Sequence, residues 1–142
     1  MKSLKVIRDT GRVKASEIVQ RMQEGGFKEE AKIGDLFGKS WDTHWFLLDI
    51  EVPKEWLETV DPEIHFLWNG KCEGSLWTID GSRLIQAFTE NVRETYVIKR
   101  KEVKDDLSDP SVNKTGEANR VQYLLEMACN EMFGNFITGF NS

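Results

Sequence analysis

Apolar side chains recur at every second residue through most of the sequence beyond residue 40. The pattern is clearest in residues 43–52, 64–69 and 121–129, where apolar positions alternate with polar or mixed ones. Successive side chains of a β-strand point to opposite faces, so a two-residue period predicts strands that each place one face in a core. This period limits the chain to a fold made mainly of β-strands.

Turn signals separate these strands at short intervals. Pro53 has no N–H donor and ends the first strand. Residues 75–79 and 82–86 are two short β-runs joined by Asp80-Gly81, which predicts a hairpin with a type I′ turn. Both central residues of that turn need a positive φ, which glycine adopts freely and aspartate tolerates. Backbone geometry therefore explains Asp80 before any chemistry is considered.

Two further strands and one long loop complete the β-region. Residues 95–99 predict a strand, and residues 132–137 predict a short final one. Residues 101–120 form a polar run that contains Pro110 and Gly116, which predicts a surface loop.

A short amphipathic helix is predicted before the strands. Ile18 and Met22 are spaced as on one face of a helix, and a glycine pair stops the pattern at residue 25. We therefore expect residues 1–32 to form an N-terminal helical lead-in and residues 33–142 to form a β-sandwich domain.

The order of these elements predicts the fold class. Many short strands with little helix after residue 30 favour an all-β fold, an antiparallel β-sandwich that carries the short helical segment at its N-terminus. The long polar loop suits the return connection of a jelly roll. A closed barrel is the second choice.

Size, charge and cysteine usage exclude several classes of function. A chain of 142 residues can bury one core. Its 19 basic and 24 acidic residues give a net charge of -5, which does not favour nucleic acid as a partner. No stretch reaches the roughly 20 apolar residues of a membrane span. Cys72 and Cys129 lack metal-ligand or redox spacing, and no apolar signal core opens the chain, so we expect a cytoplasmic protein.

The titratable residues form no recognisable catalytic pattern. His44 and His65 lie inside predicted strands, and neither has a partner at metal-ligand spacing. Glu73 and Asp80 flank one strand, a span of up to roughly 20 Å if it is extended. Glycosidases hold their catalytic carboxylates within roughly 10 Å of each other. The sequence thus predicts no catalytic residue, no metal ligand and no cofactor in this chain.

Tryptophan side chains could form a contact surface, because a flat apolar ring can stack on a sugar or pack against a partner protein. Trp41 lies near a turn and Trp45 on the mixed face of a strand, which leaves inter-domain contact and burial open for both. Trp77 is expected in the core or at an interface, and Trp68 is expected in the core.

Three blocks between residues 33 and 135 resemble one family in their content and order. They read GDLFGKSWDTHWFLLDIEVPKEW, FLWNGKCEGSLWTIDGSRLIQAFT and YLLEMACNEMFGN. These blocks resemble the N-terminal domain of glycoside hydrolase family 38 α-mannosidases of the cytosolic and vacuolar type. The resemblance implies a galactose-binding-like jelly-roll sandwich that precedes a catalytic barrel.

The resemblance also implies that the chemistry lies elsewhere in such an enzyme. A His-x-Asp-x-x-Trp block and further acids hold zinc or cobalt in the downstream catalytic domain, where an aspartate attacks the mannoside. In this chain His44 and His65 are each followed by two apolar residues, and neither fits the block. No catalytic or metal-binding residue of the family can be placed on these positions.

Two functions remain as hypotheses. In the first, the chain is a non-catalytic domain that docks on the catalytic domain of the same mannosidase and supports homo-oligomer assembly. It would work in the cytoplasm or, by a route that needs no signal, in the vacuole or lysosome. In the second, it is a stand-alone carbohydrate-binding module for mannose oligosaccharides; a hydrolase activity of the chain itself has the least support. The candidate interface or glycan-contact residues are Trp41, Trp45, Glu73, Trp77, Phe133 and Phe136.

Overall fold

The computed structural model describes residues 3–32, 34–37, 42–58, 63–70, 73–89, 92–103, 119–128, 135–136 and 139–141. The strands among them are β1 (Ser3–Ile7), β2 (Glu29–Glu30), β3 (Leu36–Phe37), β4 (Thr43–Glu51), β5 (Ile64–Asn69), β6 (Glu73–Thr78), β7 (Leu84–Phe88), β8 (Thr95–Ile98), β9 (Arg120–Ala128), β10 (Asn135–Phe136) and β11 (Gly139–Asn141). The helices are α1 (Ala15–Gln23), α2 (Lys54–Leu57) and a 3-10 turn at Arg100–Glu102.

Six strands form the larger sheet in the order β2-β1-β4-β9-β6-β7, with every pairing antiparallel. Near its centre, Leu48 of β4 lies opposite Leu4 of β1 on one side and Tyr123 of β9 on the other. The alternating segments 43–52 and 121–129 are therefore strands, as the sequence predicts, and together they occupy the centre of this sheet.

A smaller antiparallel sheet, ordered β11-β5-β8, lies over the larger one, and β10 pairs with β3. Ile64, Phe66 and Trp68 of β5 are each at most 1% exposed and share one core cluster with residues of the larger sheet. Full burial of a side chain of this size stabilises the fold by roughly 1.5–3 kcal/mol. The predicted antiparallel β-sandwich is confirmed.

Helix α1 covers part of the outer face of the larger sheet. Its Ile18 is fully buried and packs in a second cluster with Trp45 of β4 and Leu124 of β9. The predicted helix is confirmed. Because its apolar stripe needs a partner surface, the face of β4 with mixed composition is buried as well.

The predicted boundary between residues 1–32 and 33–142 is wrong, because the larger sheet crosses it. Strand β1 lies between β2 and β4, with Val6 opposite Phe46. Leu4 and Val6 belong to the main core cluster. This five-residue strand has the same alternation as the later ones, and its apolar side chains complete the core between the sheets. The N-terminal residues are thus part of the sandwich.

The turn between β6 and β7 differs from the predicted type I′ turn. The Gly81 N–H donates to the Thr78 carbonyl at 2.8 Å, and the Thr78 N–H donates to the Arg83 carbonyl at 3.0 Å. Gly81 has φ +70°, whereas Asp80 is not among the described residues with positive φ. A Cβ atom on Gly81 would lie 2.8 Å from Val19 Cγ2 of α1. Glycine therefore allows both the backbone conformation and the close contact between turn and helix.

Other predictions fall partly outside the described residues. The loop predicted at 101–120 begins with the 3-10 turn, but residues 104–118 are not described. The short strand predicted at 132–137 is described only as β10. Within the described ranges, no helix combines the length and the apolar character needed to cross a membrane.

Candidate functional site

Two of the predicted contact residues, Trp45 and Trp77, lie together on the outer face of the larger sheet. Their ring centroids are 6.3 Å apart, with the ring planes inclined by 39°. Trp45 is 0% exposed and belongs to the cluster beneath α1, whereas Trp77 is half-buried at the edge of that cluster. Of the two alternatives left open for Trp45, the structure shows burial.

The register of the strands places a carboxylate beside this tryptophan pair. Glu126 of β9 lies opposite Trp45 of β4 on one side and opposite Ser75 of β6 on the other. Two residues earlier, Leu124 lies opposite Trp77. Glu126 is half-buried, and its nearest partners across the ladder are uncharged.

Burial raises the pKa of Glu126 above the ordinary value for a glutamate. The Trp77 indole is close enough to oppose this rise in part, although its Nε1–H has no hydrogen-bond partner of normal geometry. The carboxylate loses hydration to the cluster beneath α1 without gaining a strong partner there, and this disfavours its charged form.

Exposure rises across the outer face from β4 towards β7. Trp45 on β4 is fully buried, Glu126 on β9 and Ser75 on β6 are half-buried, and Ala87 on β7 is exposed. Leu84 of β7 is 49% exposed. We call this uncovered part of the sheet the open face and define it by Glu73, Ser75, Trp77, Leu84, Ala87 and Glu126.

The remaining predicted contact residues are only partly described. Glu73 is the first residue of β6, is exposed and lies opposite Ala128 of β9. Strand β6 therefore begins two residues before the predicted β-run at 75–79 and includes Glu73. Trp41 and Phe133 lie outside the described residues, and Phe136 is described only as a backbone partner of Leu36 in the β3–β10 ladder.

Asp80 has a role in the turn between β6 and β7. One of its carboxylate oxygens accepts hydrogen bonds from Thr78 Oγ1 at 2.6 Å, from the Ser82 N–H at 3.0 Å and from Ser82 Oγ at 2.7 Å. The hydrogen bond from the Thr78 side chain, followed by those from Ser82, lowers the pKa of Asp80 to about 2. The predicted structural role of Asp80 is confirmed, although the turn type is not.

The two histidines lie in unrelated environments. His44 is fully buried, and its Nδ1 accepts the Asp9 N–H at 3.1 Å, which leaves the proton on Nε2. Burial lowers the pKa of His44. His65 is on the exposed face of β5, where its Nε2 lies 2.8 Å from Glu63 Oε1. Throughout the described part of the chain, no three His, Cys, Asp or Glu side chains are grouped so as to hold a metal ion.

Sequence reasoning did not single out Glu126. This residue lies in the alternating segment 121–129, on the face opposite Leu125 and Met127. The available signal was a lone acid between apolar residues in a central strand, YLLEMA, because charged residues are seldom buried without a partner.

Comparison with known proteins identifies the family. The sequence model of the family described as "Alpha-mannosidase, jelly roll domain" matches residues 3–141. The chain belongs to this family. The match confirms both the family resemblance and the predicted jelly roll.

Curated relatives of this α-mannosidase jelly roll domain are much longer than the domain itself. Alpha-mannosidase G of Dictyostelium discoideum is 36% identical over 110 residues, which cover 75% of this chain and 8% of the relative. Alpha-mannosidase 2C1 of Homo sapiens is 28% identical over 106 residues, or 73% of this chain and 9% of the relative. An alpha-mannosidase of Saccharomyces cerevisiae is 34% identical over 86 residues, or 58% of this chain and 8% of the relative. The jelly roll domain thus spans less than a tenth of each.

Proposed function

We propose that this chain is a non-catalytic domain of a family 38 α-mannosidase and that it docks against the rest of that polypeptide. The observation that carries the proposal is the family match over residues 3–141 together with the 8–9% share of the relatives that the domain covers. Hydrolysis of α-mannosidic bonds in oligosaccharides is then assigned to the remaining polypeptide. Any zinc or cobalt that this reaction needs is assigned there too.

The environments of the acidic residues support this division. Asp80 is held in the turn by three hydrogen bonds. Glu73 lies at the exposed start of β6. Glu126 lies in the middle of β9, beside a buried tryptophan cluster. A glycosidase needs two carboxylates facing one sugar from about 5 to 10 Å apart, whereas the hydrogen bonds of Asp80 hold its carboxylate within its own turn.

Removal of the domain from the full-length enzyme tests the proposal. The full-length protein, a version that lacks residues 1–142 and the 142-residue chain alone would be assayed for release of mannose from an aryl α-mannoside, with metal content measured in parallel. We expect activity and metal in the full-length protein and neither in the isolated chain. The Asp80→Asn variant of the full-length protein should keep its kcat. Release of mannose by the purified 142-residue chain would contradict the proposal.

We propose that the domain also supports assembly of the enzyme into homo-oligomers. Exposed apolar side chains away from the smaller sheet, such as Trp56 of α2 and Val92 between β7 and β8, support this. Analytical ultracentrifugation of the full-length and shortened proteins should then show a smaller particle after deletion. An unchanged association state would assign assembly to other parts of the enzyme.

Binding of mannose oligosaccharides remains a prediction. Trp45 and Trp68 are buried, and Trp56, at 44%, is the most exposed of the described tryptophans. Calorimetric titration of the 142-residue chain with mannose oligosaccharides tests it. Saturable binding that is lost in Trp56→Ala would favour a carbohydrate-binding module.

We further propose that the protein works in the cytoplasm. The chain contains only two cysteines, whereas small domains of oxidising compartments commonly depend on several disulfides. Fractionation of cells that produce the full-length protein, followed by detection of this domain, tests the location.

A further inference from the structure

We propose that the open face is the docking surface for a basic segment of the same α-mannosidase polypeptide, with Glu126 paired to an arginine or lysine of that segment. The inference rests on the proposed function and adds to it the surface and the chemistry of the contact.

Helix α1 leaves this part of the sheet uncovered. On the outer face, burial is complete at Trp45 on β4 and ends at Ala87 and Leu84 on β7. The inner face of β6 and β7 is buried, because Leu76 of β6 and Phe88 of β7 pack in the main core. The two strands are therefore ordered by one face and present the other to a further layer.

Glu126 is a half-buried carboxylate with uncharged neighbours. Its ladder partners, Trp45 and Ser75, and its neighbours on the same face, Leu124 and Ala128, are all uncharged. Among the described residues, Glu126 has no ion pair, and the group that opposes the rise of its pKa is the uncharged Trp77 indole. A carboxylate that has lost part of its hydration without a charged partner disfavours the folded state. A cation supplied by a docked segment would compensate this loss with a charge-assisted hydrogen bond.

The side chains of the open face differ in size along β6 and β7. Ser75 and Ala87 lie opposite each other on β6 and β7 and carry small side chains. Leu84 and the half-buried Trp77 lie opposite each other two rows along. An arginine or lysine side chain could lay its alkyl part on Leu84 and Trp77 and place its charged end at Glu126. The surface therefore fits a side chain that is apolar along its length and cationic at its tip.

Both the open face and the domain as a whole are acidic. Glu73 adds a second, exposed carboxylate on the same face, two residues before Ser75 on β6. The whole domain carries a net charge of -5. Complementary charge favours a basic partner and disfavours a second copy of this acidic surface. The relatives supply a source for such a segment within the same polypeptide, since more than nine tenths of their length lies outside the match.

Hydroxyl-radical footprinting of side chains, read by mass spectrometry, tests the surface. The oxidation rates of Leu84 and Val97 would be compared between the full-length α-mannosidase and the 142-residue chain. These two side chains have similar exposures of 49% and 44%, and Val97 lies on the outer face of the smaller sheet. We expect Leu84 to be protected several-fold in the full-length protein and Val97 to be unchanged.

Matched variants of the full-length protein test the ion pair. Glu126→Gln keeps the shape of the side chain but removes its charge, and should weaken docking by at least about tenfold. Leu84 should then react as it does in the isolated domain. Glu30→Gln removes a charge from the exposed edge strand β2 and should leave Leu84 protected. An unchanged Val97 rate in both variants shows that the domain remains folded.

Each other outcome separates the two proposals. Protection of Val97 without protection of Leu84 would overturn the open face while leaving domain docking intact. Protection of neither residue would overturn the open face as the docking surface. Protection of Leu84 in the 142-residue chain that grows with its concentration would assign the face to a second copy. Full protection of Leu84 in Glu126→Gln would refute the ion pair.

Discussion

Glu102 should be a major source of stability, because its carboxylate bridges the two sheets of the sandwich. It ends the 3-10 turn after β8 and accepts a hydrogen bond from Tyr96 Oη of β8 at 2.5 Å. Its other oxygen accepts a hydrogen bond from Tyr123 Oη of β9. Tyr96 and Tyr123 are 7% and 3% exposed, and their rings meet edge to face with centroids 6.0 Å apart.

Replacement of Glu102 by alanine leaves two buried hydroxyl groups without their acceptor. Each unsatisfied group of this kind costs about 1–3 kcal/mol. Because Glu102 is itself half-buried, water can replace part of what is lost. We therefore expect Glu102→Ala to lower the free energy of unfolding by about 2–4 kcal/mol. Urea unfolding of the 142-residue chain, followed by tryptophan fluorescence, measures this difference.

Two comparisons separate the hydrogen bonds from the loss of side-chain volume. In the background of Tyr96→Phe and Tyr123→Phe, the hydroxyl groups are absent, so Glu102→Ala should cost much less. Glu30→Ala at the exposed edge strand should change the free energy by at most about 0.5 kcal/mol. A Glu102→Ala variant as stable as the parent, or one with the same cost in both backgrounds, would refute the bridge.

The same bridge should limit stability at high pH. Burial, followed by the hydrogen bond that each hydroxyl donates to Glu102, raises the pKa of both Tyr96 and Tyr123 above the ordinary value of 10.0. The unfolded chain therefore releases these protons at lower pH than the folded one. The stabilisation is fully present below pH 10 and is lost as the pH rises above that value.

Gly81→Ala should lower the free energy of unfolding by more than Gly11→Ala. Both positions have positive φ, but only at Gly81 would the new Cβ contact Val19. Urea unfolding of the two variants therefore measures the packing contribution beyond the roughly 1 kcal/mol of backbone strain. Equal costs would contradict the close packing of turn and helix. His44→Gln should flatten the pH profile of stability below pH 6.5. Burial lowers the pKa of His44, so the stabilisation that is present above pH 6.5 is lost as the pH falls through the folded-state pKa. An unchanged profile in acid titrations would argue against a neutral buried imidazole. Asp80→Asn should destabilise the hairpin at neutral pH but not near pH 2, because the stabilisation by Asp80 is present above its ordinary pKa of 3.8 and is lost as the pH falls to about 2. Amide chemical shifts of the turn measure this, and a difference that persists at pH 2 would contradict it.

The strands that could be predicted are those whose alternation is long and whose burial follows from it. In β4 and β9 the two-residue period runs over nine residues, so the assignment of both segments as strands follows from the sequence. Strand β1 has the same period over only five residues. Its partner β4 is about forty residues away, and a short period carries no information about so distant a pairing.

The features that could not be predicted depend on two elements acting together. The Asp-Gly pair predicts a type I′ turn, but the neighbouring Thr78 and Ser82 hold the Asp80 carboxylate and favour a longer turn. The alternation of β4 places Trp45 on the mixed face and leaves inter-domain contact and burial open. Trp45 is buried because α1 covers that face. The sequence marks Glu126 as a lone acid in β9, but only the neutral residues on both adjoining strands show that no charged partner lies beside it.

The pairing of β4 has a consequence for biosynthesis. Its two neighbours in the sheet are β1, already translated, and β9, which lies some seventy residues further along the chain. A ribosome must therefore extrude the polypeptide as far as Ala128 before the middle of the sheet can close. Until then one edge of an apolar strand stays open to other nascent chains, and chaperone binding during translation would protect it.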